Sequence, residues 1–188
     1  EDDLGLVVYG HREKGSCTDI ETIFPPRPLD VGAYMSPIKS LVPKGKTPMT
    51  QAVRQAAEAL KYTEQKGTVI LVSDGVETCE ADPCAVAREL EKTGIGFTVH
   101  TVGFGLDDKS AVDQLKCIAE ETGGIAVLAD NAEELESAMT QTVEAKVEEP
   151  PPPAPAVPPA VTAPLPPAPP EPAPPPPPPE PAGAPVAP

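Results

Sequence analysis

An unbroken apolar run that ends in an acid and a glycine constrains the fold of this chain most. Residues 68–75 read Thr-Val-Ile-Leu-Val-Ser-Asp-Gly. Four aliphatic residues in a row favour a strand that is buried on both faces, as in a parallel sheet covered by helices. Asp74 then emerges at the carboxyl end of the strand, the edge where open α/β sheets bind ligands. The run predicts an α/β domain with a carboxylate at that edge.

A second oxygen donor lies upstream, where residues 45–49 read Gly-Lys-Thr-Pro-Met. Thr47 precedes a segment, 47–65, whose apolar residues fall on one helical stripe, so its hydroxyl lies at the start of a predicted helix that Gly67 ends. A hydroxyl and a carboxylate at one sheet edge suit a hard cation such as Mg²⁺. Thr47 and Asp74 are therefore the candidate metal ligands. Each also has a structural interpretation, Thr47 as a helix N-cap and Asp74 as a turn residue.

The rest of the chain to residue 147 alternates strands and helices. Residues 4–9 and 18–23 predict a hairpin whose second strand lies at the sheet edge. Asp82 and Pro83 begin a helix that Gly94 ends, and further strand and helix patterns follow up to a final helix, for which Asp130 and Glu133 form a predicted capping box. This order predicts a Rossmann-like, doubly wound, mainly parallel sheet with one antiparallel edge strand.

The last part of the chain has a different composition. Residues 148–188 are mostly proline and alanine, which cannot build a core, so we expect a disordered or polyproline II linker or tail. Residues 1–147 are left for one domain. The net charge of −15 and the lack of a basic face argue against nucleic acid binding. No apolar run reaches the roughly 18 to 20 residues that a membrane span needs.

Four cysteines are present, at positions 17, 79, 84 and 117. A disulfide between Cys79 and Cys84 would close a short loop and would favour an oxidising compartment. The alternatives are free thiols, small core residues or cross-pairing with Cys17 or Cys117; zinc is disfavoured, because no histidine follows at finger-like spacing.

Enzymatic patterns are absent from the sequence. No Gly-x-Ser-x-Gly elbow occurs, and neither histidine has an assigned acid partner. His100 lies within an apolar strand and is expected to be structural, whereas His11 lies in the hairpin loop and is expected to be exposed. We therefore expect no enzymatic activity.

The order of elements, with Gly45–Met49, Val72–Gly75 and Gly103–Gly105, resembles the von Willebrand factor type A (VWA) domain. The resemblance covers about Asp3 to Ala145 and is greatest to the bacterial envelope branch. It implies a metal-ion-dependent adhesion site (MIDAS), in which Thr47 and Asp74 match the threonine and the aspartate that hold Mg²⁺, Mn²⁺ or Ca²⁺.

The family's first metal-binding loop, Asp-x-Ser-x-Ser, is not in this sequence. The resemblance places its strand before Leu4 and at the centre of the sheet, between the strands at residues 4–9 and 68–73. We therefore expect an N-terminally incomplete domain with an incomplete metal site.

The resemblance implies a metal-dependent adhesion or scaffold domain of the bacterial envelope, periplasmic or secreted, whose protein partner completes the coordination with an acidic side chain. Two alternatives stay open. One is a cytoplasmic accessory subunit of an ATP-driven or metal-handling assembly, with reduced cysteines. The other is a degenerate VWA scaffold that binds no metal.

Overall fold

The computed structural model describes residues 3–147, with the side chains of residues 3–145. The predicted tail, 148–188, lies outside the described residues. The elements follow the chain in the order β1 (Asp3–Tyr9), β2 (Ile20–Pro28), α1 (Val31–Ile38), α2 (Met49–Ala59), β3 (Gly67–Ser73), α3 (Pro83–Thr93), β4 (Phe97–Phe104), α4 (Lys109–Glu121), β5 (Ala126–Ala129) and α5 (Ala132–Val147).

The strands form two hydrogen-bonded sheets. Strands β1 and β2 pair antiparallel, and β3, β4 and β5 pair parallel in that order, which confirms the predicted α/β class with its antiparallel hairpin. Two features join the sheets. The hydroxyl of Tyr9 donates to the carbonyl of Val72 at 2.9 Å, and α2 packs against β1, β2 and β3. Within residues 3–147, no strand pairs with both β1 and β3.

Helices cover the parallel sheet on both faces, but the two cores differ in size. Because side chains alternate along a strand, Val99 of β4 points into the larger core with α2, α3 and α4, whereas Val102 points to α5. Large, fully buried side chains fill the larger core: Met49, Leu90, Leu115 and Ile118. The α5 side buries mainly small residues, such as Ala129 and Ala138. Most of the apolar burial that holds the domain together therefore lies on the α2–α4 face.

Short polar residues begin four of the helices. The carboxylates of Asp30, Asp82 and Asp108 accept backbone N–H bonds in the first turns of α1, α3 and α4. Helix α5 has its capping box one residue later than predicted: Asn131 accepts the N–H of Glu134, and the Glu134 carboxylate accepts the N–H of Asp130. Helix α2 is the exception, because Pro48 lies at its N-cap and no local side chain caps it.

Two further predictions differ from the structure. Helix α1 was not predicted from the sequence, because it contains Pro37 and only Tyr34 of its residues is buried, so it has almost no apolar periodicity towards a core. Helix α2 is shorter than residues 47–65: it ends at Ala59, and Lys61 with φ 53° reverses the backbone just beyond it. Gly67 begins β3 and does not end α2.

Candidate binding site at the carboxyl edge of β3

Three loops meet beside the carboxyl end of β3, and we call them the rim loops: residues 10–19, 44–48 and 74–82. The N–H of Lys44 donates to the carbonyl of Gly10 at 2.8 Å, and a disulfide joins Cys17 to Cys79. Gly10 has φ +65°, and a Cβ there would lie 2.5 Å from the carbonyl oxygen of Lys46. The close approach of the first two loops thus requires glycine at this position.

The first rim loop is ordered around a buried carboxylate. Asp19 is 1% exposed and accepts the backbone N–H groups of Arg12 at 2.7 Å and Glu13 at 2.8 Å, together with the Arg12 guanidinium at 2.8 Å. These contacts, led by the Glu13 N–H, hold the pKa of Asp19 well below its usual range. An ionised Asp19 therefore fixes the loop that carries Cys17.

The second and third rim loops are hydrogen-bonded through Thr78. Its hydroxyl oxygen accepts the N–H of Thr47 at 2.7 Å, and its own N–H donates to the carbonyl of Thr47 at 3.3 Å. The ammonium of Lys46 donates to the carbonyl of Thr78 at 3.1 Å. The backbone of the predicted ligand Thr47 is thus held directly by the loop that begins with the other predicted ligand, Asp74.

Glu77 binds the same loop to the start of α2. One carboxylate oxygen accepts the N–H of Thr50 at 2.8 Å, and the other accepts the N–H of Cys79 at 2.8 Å. The Glu77 N–H donates to the side-chain oxygen of Gln114 in α4 at 2.9 Å. Glu77 is therefore the missing cap of α2, supplied from a distant loop. The sequence did not indicate this role, because a cap supplied from 27 residues away leaves no local pattern.

The two predicted metal ligands occupy this loop cluster with their oxygen atoms available. Asp74 is exposed at the end of β3, and Thr47 is half-buried just before α2. Within the described part of the chain, neither the Asp74 carboxylate nor the Thr47 hydroxyl forms a hydrogen bond or an ion pair. Thr47 does not cap α2 with its side chain. The structural alternative for Thr47 is therefore not realised, whereas the sharing of one ion by Thr47 and Asp74 stays a prediction.

Tyr9 lies beside the same carboxylates. Burial raises the pKa of its phenol, the nearby Ser73 hydroxyl opposes the rise, and the charges of Asp74 and Glu77 add to it. The phenol therefore stays protonated and keeps its bond to Val72. Tyr9 thus helps to hold the end of the strand from which Asp74 projects.

The Thr47 hydroxyl and the Asp74 carboxylate offer two oxygen donors, the type of ligand that a hard cation binds. Across residues 3–147, no three His, Cys, Asp or Glu side chains are grouped as a metal-binding cluster. An ion at Asp74 would therefore take its remaining ligands from hydroxyl groups, water or another carboxylate, which are the ligands that Mg²⁺ prefers.

The predicted disulfide between Cys79 and Cys84 is wrong. The structure pairs Cys17 with Cys79 and Cys84 with Cys117, with Cα atoms 5.6 and 5.5 Å apart. Cys84 lies in the first turn of α3, which packs against α4 and so brings it to Cys117, while Cys79 remains in the rim loop and meets Cys17. The two disulfides indicate an oxidising, non-cytoplasmic compartment.

Neither histidine side chain adds a donor to the pair formed by Thr47 and Asp74. His100 is 3% exposed in β4, accepts the N–H of Ile125 at 3.0 Å, and has its pKa lowered by burial, as expected of a structural residue. His11 is half-buried, with its ring nitrogen 3.0 Å from the carboxylate of Glu21, so the prediction that it is exposed is wrong. Its partner lies across the hairpin on β2, and the sequence pattern gave no sign of that pairing.

Comparison with known sequences agrees with this architecture. The profile of the von Willebrand factor type A domain matches residues 1–141. The Bacillus subtilis (strain 168) protein YwmD, itself uncharacterised, is 32% identical over 145 residues, which are 72% of this chain and 64% of YwmD. The chain thus spans slightly less than two thirds of this relative.

Solved structures share the fold at low sequence identity. BatB from Bacteroides thetaiotaomicron superposes with a TM-score of 0.56 at 19% identity, over 78% of this chain and 80% of BatB. The VWA domain of SpRpn10 superposes with a TM-score of 0.52 at 16% identity, over 74% of this chain and 71% of that chain. None of the helices described in residues 3–147 has the length and hydropathy of a membrane span. By its matching profile and its architecture, the chain belongs to the von Willebrand factor type A domain family, a general protein-interaction fold.

Proposed function

We propose that this chain is a non-enzymatic protein-binding domain of the bacterial cell envelope that engages a partner through a divalent cation. Thr47 and Asp74 hold the ion, which is Mg²⁺, Mn²⁺ or Ca²⁺, and an acidic side chain of the partner protein completes its coordination. The observation that carries this proposal is the pair of unpartnered oxygen donors in a loop cluster that Thr78 and Glu77 fasten together.

The cation supplies a fixed positive charge that a partner carboxylate can bind. The chain's own residues supply the remaining requirements. The exposed Asp74 keeps its carboxylate accessible, while Thr78 fixes the Thr47 backbone. An acidic protein would otherwise repel an acidic partner, and the net charge of −15 makes a bridging cation useful. Binding of the partner would then depend on the presence of the metal.

The disulfides support the envelope over the cytoplasmic alternative. Cys17, Cys79, Cys84 and Cys117 are all paired, and such bonds are rare where thiols are kept reduced. The relative in Bacillus subtilis supports a bacterial setting.

The test is a titration of the full-length protein with Mn²⁺, followed by electron paramagnetic resonance and competed with Mg²⁺. We expect one Mn²⁺ per chain, and Thr47→Val and Asp74→Asn should each weaken binding by at least the roughly 10- to 100-fold that loss of an outer partner costs, since each removes a ligand. Matched controls are Thr63→Val and Asp113→Asn, which remove a hydroxyl and a carboxylate elsewhere on the exposed surface. Equal affinities for all variants, or no Mn²⁺ binding by the wild type, would reject the proposal.

A further inference from the structure

Glu77 is the rim residue whose hydrogen bonds reach both α2 and α4. Its side chain joins helix α2 to the third rim loop. It accepts the N–H of Thr50 in α2 and the N–H of Cys79 in its own loop, both at 2.8 Å. Its backbone N–H is bound by Gln114 of α4 at 2.9 Å. Three separate parts of the chain therefore converge on one residue.

The position of Glu77 at the start of α2 explains why a carboxylate is favoured there. The first N–H groups of a helix have no partners inside the helix and carry partial positive charge, so a carboxylate is favoured there. Pro48 at the N-cap offers no side-chain acceptor, and Glu77 takes the place of a local cap. Because Glu77 is three residues after Asp74, binding α2 also positions Asp74.

We propose that Glu77 is a positioning residue for the cation site. It holds Thr47 and Asp74 at the distance that one ion requires. This inference rests on the proposed metal-dependent function and adds a residue that does not touch the ion. Both carboxylate oxygens of Glu77 are already bound by N–H donors, so it serves the site by holding the loop to the helix. Thr78 contributes to the same positioning, because the Thr78 hydroxyl accepts the N–H of Thr47 at 2.7 Å.

The stereochemistry of Glu77 permits a test that separates position from charge. Glu77→Asp keeps the negative charge but is one methylene shorter, so it cannot reach both Thr50 and Cys79. Glu77→Gln keeps the length but places an amide donor against one of the two N–H groups. Both variants should weaken Mn²⁺ binding by about 10- to 100-fold, the usual cost of losing an outer partner of a metal ligand.

Two further variants complete the experiment. Thr78→Val keeps the volume and charge but removes the acceptor for Thr47, and should also lower the affinity for Mn²⁺. Glu80→Gln removes a charge from the same loop at an exposed residue without a hydrogen bond in the described structure, and should leave the affinity within about twofold of the wild type.

The readouts are Mn²⁺ titration of the full chain well below its melting temperature and hydrogen exchange of the Thr50 amide. We expect faster exchange at Thr50 in both Glu77 variants and unchanged exchange in Glu80→Gln. Loss of affinity in Glu77→Gln but not in Glu77→Asp or Thr78→Val would show a charge effect and overturn the inference. Wild-type protein without Mn²⁺ binding would reject the underlying function, whereas a binding wild type with unaffected variants would reject only the role of Glu77.

Discussion

The N–H groups in the first turns of α2 and α3 have no partners within their helices, and they are capped in different ways. Helix α3 is capped by Asp82, which lies next to it in sequence and accepts the N–H of Ala85 at 3.0 Å. Helix α2 is capped by Glu77, which is separated from Thr50 by 27 positions. The local cap fixes only the helix that follows it. The distant cap also fixes the position of a loop relative to a helix, and this loop carries the proposed ligand Asp74.

Each helix start also lies near a disulfide, and the two disulfides have different neighbours. Cys79 binds the rim loop to Cys17 of the hairpin loop, while Cys84 binds α3 to α4 through Cys117. The α2 side of the molecule is therefore fastened between loops, and the α3 side between packed helices. We therefore expect changes on the α2 side to alter binding as well as stability, and changes on the α3 side to alter stability alone.

The largest expected effect comes from removing the disulfides. They close chain separations of 62 and 33 residues, so Cys17→Ala with Cys79→Ala, and Cys84→Ala with Cys117→Ala, should each lower the free energy of unfolding by about 4 kcal/mol from lost loop constraint. Only the first pair should also weaken Mn²⁺ binding. Denaturant midpoints under non-reducing conditions and Mn²⁺ titration measure the two effects. Equal losses of affinity in both double variants would remove the distinction between the two sides.

A smaller effect is expected from the local cap. Asp82→Ala removes one acceptor at the exposed start of α3 and should lower the free energy of unfolding by about 1 kcal/mol. Affinity for Mn²⁺ should not change, in contrast to Glu77→Asp. Thermal unfolding and metal titration of both variants provide the comparison. A metal defect in Asp82→Ala would mean that α3 also positions the site.

The effect with the narrowest pH range in the wild-type protein is the acid response of the hairpin loop. The pKa of Asp19 is lowered on folding, so its contribution to stability is present above the pKa of about 3.9 of an unfolded aspartate and is lost as the pH falls through the lower folded value. The wild-type protein should lose this contribution, and the exchange protection at the Arg12 and Glu13 amides, as the pH falls below about 4. Asp19→Asn should flatten this dependence. An unchanged acid profile in Asp19→Asn would show that other groups cause the loss.

Local patterns were sufficient to predict much of the fold. Asp82 with Pro83 marked the start of α3 correctly, and Gly94 marked its end, because a cap and a stop act within one turn of the helix. The apolar run before Asp74 identified β3, and the strand patterns at residues 4–9 and 18–23 identified the hairpin. These features depend on neighbours in the sequence, so the sequence displays them.

Features that depend on tertiary contacts were missed. The pairing of Cys84 with Cys117 follows from the packing of α3 on α4, and the role of Glu77 follows from the meeting of a loop with α2. Helix α1 was not predicted, because only Tyr34 is buried along it and its sequence therefore has almost no apolar periodicity. The candidate ligands Thr47 and Asp74 were predicted from residue type and expected location, whereas the residues that hold their loops were not predicted.

Helix α2 rests on strands of both sheets, and its first turn is bound by Glu77. A partner pulling on the rim near Thr47 would therefore load the axis of this helix and distribute the force over both sheets. Tension would not fall on the hairpin alone, whose only described hydrogen bond to the parallel sheet from β1 is that of Tyr9 with Val72. The contacts of α2 with both sheets would therefore determine how the domain responds to force applied through the proposed site.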